Sequence, residues 1–283
     1  MQDHGLLQKY LEGERNFRGA NLAHLNLAGA CLAGANLTNA NLVEANLPVA
    51  YLASAVLSRA NLMGANLSQS FLRGADLRFI KLGMSNLVGA DLTKADLRGA
   101  FLVKSVLNGA QMSGTVMMGA NLRQANLEAC NLSAANLSDS NLRSANLRGA
   151  NLRWANLTHA RLIEANLEGA LLNGVKLCRA YLIQVELPGA DLGSVDLSGA
   201  RLKGANLRHS NLSGANLQDA QLQLANLTQA DLRAANLSGA NLQGADLTDA
   251  LLERARYTQQ TLFPLNFNPS AHGAFFIDEL VAA

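Results

Sequence analysis

Residues 120–157 read ANLRQANLEACNLSAANLSDSNLRSANLRGANLRWANL, a single five-residue phrase repeated without a break. Each phrase is a small residue, then Asn or Asp, then Leu, then two variable residues. The phrase extends in both directions. Counting every fifth residue from Leu22 to Leu252 gives 47 positions, of which 45 are Leu and two are Met112 and Met117. Phe17 precedes the series in phase, and the same count carried forward reaches Tyr257 and Leu262. With the Leu called position i, the residue at i−2 is mostly Ala and the residue at i−1 mostly Asn or Asp. Charged residues, Ser, Thr, Gln and Gly fill i+1 and i+2.

Neither regular element accommodates a period of five. On a helix, five residues advance 500°, so the leucines would drift around the whole circumference. On a flat strand, an odd spacing sends successive leucines to opposite faces. A short extended segment that points i−2 and i inward, followed by a turn, satisfies both constraints. Glycine marks the turn: 19 of the 24 glycines fall at i+2. That is the third residue of a type II turn, where φ must be positive. Four such turns of about 90° close a coil of about twenty residues, and coils stack about 4.8 Å apart. The array therefore predicts an all-β, four-sided solenoid of about twelve coils, roughly 55 Å long.

The A(N/D)LXX array resembles the pentapeptide-repeat family over about 240 of the 283 residues. The resemblance implies a right-handed four-sided β-helix, a handedness that the spacing does not give. The opening LLQKYLEGERNFRGANL is also similar to the N-termini of cyanobacterial members.

A solenoid exposes its core at both ends and needs caps. Leu6, Leu7, Tyr10 and Leu11 at helical spacing predict a short amphipathic cap helix within residues 1–16, ahead of the repeat array at 17–256. Residues 257–283 differ in composition: Phe263, Phe267, Phe275, Phe276, Ile277 and Leu280 make them aromatic and apolar. They either fold over the last coil or pair with a second chain. Gyrase-protecting members of the family dimerise near their C-termini, so the resemblance keeps a homodimer through this tail in view.

Composition narrows the function. Aromatic residues are 5% and charged residues 16% of the chain, and 23 Lys and Arg against 21 Asp and Glu leave a net charge of +2. Near-neutrality argues against a role built on gripping phosphates. Three scattered cysteines and an acidic N-terminus without an apolar h-region fit a cytoplasmic chain. No stretch is long and apolar enough to span a membrane.

The motifs of catalysis are missing. The histidines His4, His24, His159, His209 and His272 share no side at a twenty-residue register, and no zinc-ligand spacing surrounds them. There is no activated-serine motif and no phosphate-cradling glycine loop. Asn and Asp at i−1 recur as a hydrogen-bond ladder would, and pairs such as Asp91 and Asp96 fall on adjacent sides. The sequence therefore predicts no enzyme, no cofactor, no metal and no small-molecule substrate.

Departures from the repeat mark the candidate surface. At twenty residues per coil, Phe101, Val103, Arg123, Arg143, Arg161, Ile163, Tyr181 and Ile183 share one side with Arg201 and Lys203. Positions i−1 and i+1 point outward, so this side mixes apolar and Arg side chains, as protein interfaces do. Trp154, the single tryptophan, sits at a corner, where it serves either as a partner anchor or as packing. Leu171, Val175, Lys176, Val185, Glu186 and Val195 form a second irregular stretch, and Val at i−2 fits a wider coil interior.

Two observations argue against nucleic acid: Arg143, Arg148 and Arg153 fall on three successive sides, and interleaved stacking aromatics are missing. Gyrase-protecting relatives imitate duplex DNA with acidic rods, whereas the exposed positions here lean basic. Cyanobacterial relatives include regulators that act through protein contacts. The expectation is thus a non-enzymatic scaffold or regulatory adaptor for an unidentified protein partner. A gyrase-interacting DNA mimic and a rod without a client are the alternatives.

Overall fold

The computed structural model describes residues 4–277, so Leu280 of the tail lies outside the described residues. The helix α1 (His4–Leu11) comes first. Gly13, at φ 99°, takes up the reversal just beyond it. Leu6 and Tyr10 turn inward, and the Tyr10 hydroxyl donates to the Ala33 carbonyl at 2.9 Å. The Arg15 guanidinium covers the Tyr10 ring at 3.8 Å. Leu11, expected on the buried stripe, is 78% exposed because the helix ends there.

From Asn16 to Arg256 the chain is a β-helix. Residues at i−1 pair in parallel with residues twenty further on, as in Asn121 with Asn141 and Asn136 with Asn156. Each repeat ends in a turn whose Leu carbonyl accepts the N–H three residues later, for example from Ala145 to Leu142 at 3.0 Å. The third turn residue has positive φ and the second does not, as a type II turn requires. Bulky side chains also accept that conformation, among them Phe79 (φ 57°), Trp154 (φ 58°) and the β-branched Val49 (φ 54°). Between coils, the Leu N–H donates to the i−1 carbonyl of the next coil, as from Leu122 to Asn141 at 2.7 Å. The i−1 N–H donates back to the preceding coil, as from Asn141 to Ala120 at 2.9 Å.

The core is a ladder of Leu at i and Ala at i−2. Leu122, Leu142, Leu162 and both in-phase methionines are fully buried, and so are Ala135, Ala155 and their equivalents. Each buried Leu contributes on the order of 1.5–3 kcal/mol, so the energy of the fold is spread evenly along the axis.

One stretch departs from this regularity. Between residues 165–175 and 185–195, the N–H groups of Leu167, Gly169, Leu172 and Gly174 do not reach the carbonyls of the following coil. Those of Glu186, Asp191 and Asp196 do not reach back. Leu171 and Asp191 are not paired, and Ala170 and Ala190 lose the full burial of their counterparts. The cause lies in the i−2 column, where Val175 stacks directly on Val195 while Val185, half a coil from each, sits on the opposite side over Ala165. Two stacked isopropyl groups do not fit a spacing set by Ala, and close-packed interiors respond to each added methylene.

The phase slips once, after Arg256. Leu262 pairs with Asn241, one residue later than the repeat count predicts, and it is 43% exposed instead of pointing inward. The extra residue is accommodated by a polar plug of Thr258 and Thr261. The Gly239 N–H reaches both hydroxyls at 3.2 Å, and Thr261 Oγ1 donates to the Leu237 carbonyl at 2.9 Å. Beyond it, β1 (Arg256–Tyr257) pairs in parallel with β2 (Phe275–Phe276). A 3-10 turn at Ser270–His272 precedes β2. Tyr257, Phe263, Phe267 and His272 form a run of ring contacts with centroids 4.5–5.6 Å apart.

Candidate functional site: an apolar and cationic side

The i−1 column explains most of the polar surface. Nearly every Asn or Asp accepts a backbone N–H two residues on, as from Arg143 to Asn141 Oδ1 at 3.2 Å; Asn46, followed by Pro48, is an exception. Side-chain amides also donate between coils, from Asn41 to Asn21 at 2.9 Å and from Asn146 to Asn126 at 3.1 Å. These groups are engaged in holding turns and coils.

The phrase Asp-Leu-Arg adds an ion pair to that ladder. Asp76 and Asp96 are stacked neighbours, joined as i−1 partners. Arg78 Nη2 lies 2.6 Å from Asp76 Oδ2, and Arg98 Nη2 lies 2.5 Å from Asp96 Oδ2. Hydrogen bonding from Arg78 holds the Asp76 carboxyl below the usual carboxylate range. Partial burial pushes Asp96 upward, but the bonds and charge of Arg98 outweigh it and the net shift is downward. The two carboxylates are each neutralised by an arginine, so they form no acid–base pair. Asp231 and Arg233 repeat the arrangement at 2.7 Å.

Among the described residues, no three His, Cys, Asp or Glu side chains are grouped to hold a metal ion. His24 and His159 lie 3.3 Å from Glu44 and Asp139, each in a separate exposed pair. Cys31, Cys130 and Cys178 are free thiols. Burial pushes the Cys130 thiol up to about 12, and it donates to the Leu107 carbonyl at 2.9 Å, so it is not a nucleophile. Among the described residues no helix is long and apolar enough to cross a membrane.

The twenty-residue register brings the predicted surface residues onto one side. Phe101 is 39% exposed, Val103, Ile163, Tyr181 and Ile183 are half-buried, and Arg123, Arg143 and Arg161 are exposed. The Arg201 guanidinium lies over the Tyr181 ring at 4.6 Å. Phe101 lies down onto Gly83, where an added Cβ would stand 2.7 Å from the ring. Two cations of this side, Lys81 and Lys104, were not picked out by sequence reasoning. Reading each column down the coils, rather than searching for apolar departures, is the signal that finds them.

The charge is less evenly spread than three arginines on three sides suggest. Arg148 sits between Glu128 and Glu168 at 3.8 and 3.7 Å, and Arg153 donates to Asn173 at 3.2 Å. A different side carries a second feature that the sequence reading missed, the Tyr51 and Phe71 rings stacked 4.9 Å apart. Trp154 is 67% exposed and lies over Gly174, 2.6 Å from where a Cβ would be, so its position is set by packing on the next corner.

Of the tail residues, Phe263 and Phe267 pack against the core, whereas Phe275 and Phe276 remain 57% and 55% exposed. Ile277 is half-buried and its N–H donates to the Tyr257 carbonyl at 2.8 Å.

Comparison with known proteins places this architecture. The family described as pentapeptide repeats matches in eight copies, at segments running from residue 16 to 78 and from 85 to 254. The chain belongs to the pentapeptide-repeat family. It is 37% identical to HetL, a pentapeptide repeat protein involved in heterocyst differentiation regulation from the cyanobacterium Nostoc sp. strain PCC 7120. That match covers 90% of this chain and 96% of HetL, with a TM-score of 0.38. Identity to alr5209 of the same organism is 42%, covering 36% of this chain and 84% of that one, with a TM-score of 0.36. QnrB1, a plasmid-mediated fluoroquinolone resistance protein, is 18% identical over 74% of this chain and 87% of its own, with a TM-score of 0.35. No curated protein matches the chain.

Proposed function

We propose that the chain is a non-enzymatic scaffold or regulatory adaptor that binds another protein through the side bearing Phe101, Arg161, Ile163, Tyr181 and Ile183. One observation carries this reading: Arg161 and Ile163 lie beside Tyr181 and Ile183 on the next coil, and Arg123 and Arg143 continue the same side toward Phe101 and Val103 across coils whose i−1 residues are Asn121 and Asn141. Arg and aromatic residues are the groups that anchor protein interfaces. The rod is a right-handed helix of about twelve coils. The described parts of the segments 1–16 and 257–283 lie at its two ends, flanking the array at 17–256. The bond from Tyr10 to Ala33 and the threonine plug support that division. The free thiols fit a cytoplasmic setting.

The test compares capture of proteins from source-cell lysate by the wild type and by a Phe101→Ser, Tyr181→Ser, Ile183→Ser variant of equal melting temperature. A partner lost only with the variant supports the adaptor. Identical recovery from both overturns the assignment of this side.

A second reading places a homodimer contact at the tail, because Phe275, Phe276 and Leu265 are all more than half exposed at one end of the rod. Sedimentation of the wild type and of a Phe275→Ser, Phe276→Ser variant tests it. A monomer at micromolar concentration in the wild type ends that reading. Imitation of duplex DNA finds no support in the candidate side, whose charge has the wrong sign.

A further inference from the structure

The candidate side carries a charge pattern that specifies its partner more closely than the word adaptor does. Seven of the 23 Lys and Arg residues lie on it between Lys81 and Lys203, together with only one of the 21 Asp and Glu residues, Glu164. The rest of the chain is therefore net acidic, and the overall charge of +2 conceals a segregated stripe.

Most of the cations there are outside ion pairs, although Arg201 covers the Tyr181 ring. Elsewhere Arg78, Arg98, Arg148 and Arg233 sit in ion pairs. On this side only Arg143 does, at 3.4 Å from Glu164, among the described residues. Arg123 and Arg143 stack in the i+1 column of successive coils. Like charges opposite one another on neighbouring strands are destabilising, so this arrangement costs stability in the isolated protein. An anionic partner would remove that cost.

We infer that this side binds an acidic polypeptide segment of a partner protein, with carboxylates meeting the arginines and aliphatic side chains seated on Ile163 and Ile183. The inference rests on the adaptor reading and deepens it. The stripe spans six coil steps of about 4.8 Å, close to 29 Å, enough for a short segment laid along the rod.

The mixture of groups favours carboxylate over phosphate. Ile163 and Ile183 stack in the i+1 column toward the Lys203 end of the stripe, with Arg143 on the coil before them and Lys203 on the coil after. Aliphatic side chains at that point would face phosphates and sugars in a nucleic-acid complex and gain nothing. The rings do not project as stacking platforms, because Tyr181 is covered by Arg201 and Phe101 lies on Gly83. A shallow depression of about 500 Å³ at one end of the stripe is lined by Ile183, Arg201, Lys203, Gln221 and Gln223, with Asp219 as its single acidic residue.

The experiment is fluorescence anisotropy on the full chain with three labelled probes: a short peptide of Glu, Asp, Leu and Ile, its analogue with Ser in place of Leu and Ile, and a short DNA duplex. The first peptide should bind most tightly and weaken as salt is raised. Arg161→Glu with Arg201→Glu should cost it about tenfold or more. Ile163→Ser with Ile183→Ser should erase its advantage over the Ser analogue. Arg73→Glu, on another side, should change nothing, and matching melting temperatures guard against misfolding. Tighter binding of the duplex, or indifference to the arginine reversals, overturns the inference. If neither peptide binds while lysate capture still depends on Tyr181 and Ile183, the acidic partner is wrong and the adaptor stands. If capture is also indifferent, both fall.

Discussion

The coils around residues 116–156 and the coils at residues 165–195 are built from the same phrase, yet only the first set keeps every inter-coil backbone bond. In the first, Leu137 donates to Asn156 at 2.7 Å and Leu142 to Arg161 at 2.8 Å, with every i−2 residue buried. In the second, seven consecutive inter-coil bonds do not form. The leucines are identical in the two regions, so they do not explain the difference. The i−2 column does, running Ala135, Ala155, Val175, Val195. Ile80 sharpens the point. It is larger than Val, but with Ala60 and Ala100 on either side the bonds around it stay closed, Lys81 to Ala60 at 3.0 Å and Phe79 to Arg98 at 2.9 Å. One bulky residue is absorbed by its small neighbours, whereas two in register are not. Leucine therefore sets the fold, and the size of stacked i−2 pairs sets how tightly adjacent coils meet.

The harshest way to break the regular region is to charge its core. Leu142 is fully buried, so Leu142→Asp places a carboxylate where nothing can pair with it. The expected loss exceeds about 4 kcal/mol, seen in calorimetry as the uncoupling of several coils. An unchanged melting curve would show that position i does not point inward.

A milder change should move the loosened seam from one place to another. Ala135→Val with Ala155→Val recreates stacked valines in the regular region, at about 1–3 kcal/mol for overpacking. It should also make the Leu132 and Ala134 amides exchange faster. The reverse pair, Val175→Ala with Val195→Ala, should slow exchange at Gly169, Leu172 and Gly174. If exchange at those amides stays as fast as before, the valines are not what separates the coils.

Much of this was readable before any coordinates, for one physical reason. A repeat that returns every twenty residues turns sequence distance into spatial contact, so residues twenty apart stack as the register predicts. What stayed hidden depends on pairs of residues twenty apart rather than on single departures. Val175 reads as a wider interior by itself, and only against Val195 does it become a wedge. Lys81 and Lys104 are unremarkable singly and significant only when the column is summed. The slip at Leu262 escaped because Thr258 and Thr261 look like ordinary variable residues. Their hydroxyls replace a missing backbone partner only in the three-dimensional arrangement.

Corner glycines give a finer test of the same pairwise logic. Gly109 and Gly174 both hold positive φ, but a Cβ on Gly109 meets nothing within 4 Å, whereas one on Gly174 meets the Trp154 indole at 2.6 Å. Ala is tolerated in this conformation at Ala129, Ala134 and Ala234. Gly109→Ala should therefore cost about 1 kcal/mol or less in denaturant unfolding. Gly174→Ala should cost more, and Trp154→Ala in the same chain should restore the difference. Equal costs at the two glycines would mean that corner side chains do not depend on a glycine twenty residues on.

The smallest effect concerns the Asp76 and Asp96 pairs, and its sign follows from their depressed ionisation. Both carboxyls are held below their unfolded values by the adjacent arginines, so the folded state releases protons more readily than the unfolded chain. Their stabilisation is fully present above the unfolded carboxylate value of 3.8 and is lost as pH falls through the lower folded values. Neutral pH is thus the favourable side, and acid removes the benefit. Asp76→Asn with Asp96→Asn should lower the melting temperature slightly at pH 7 and leave it nearly unchanged near pH 2. The exposed arginines keep the effect small through solvent screening. Because Asn at i−1 still accepts the N–H two residues on, as Asn141 does from Arg143, the variant removes the ion pairs and keeps the turns. A wild type and variant that melt in parallel across the whole pH range would show that the ladder, and not the charge, is what these aspartates supply.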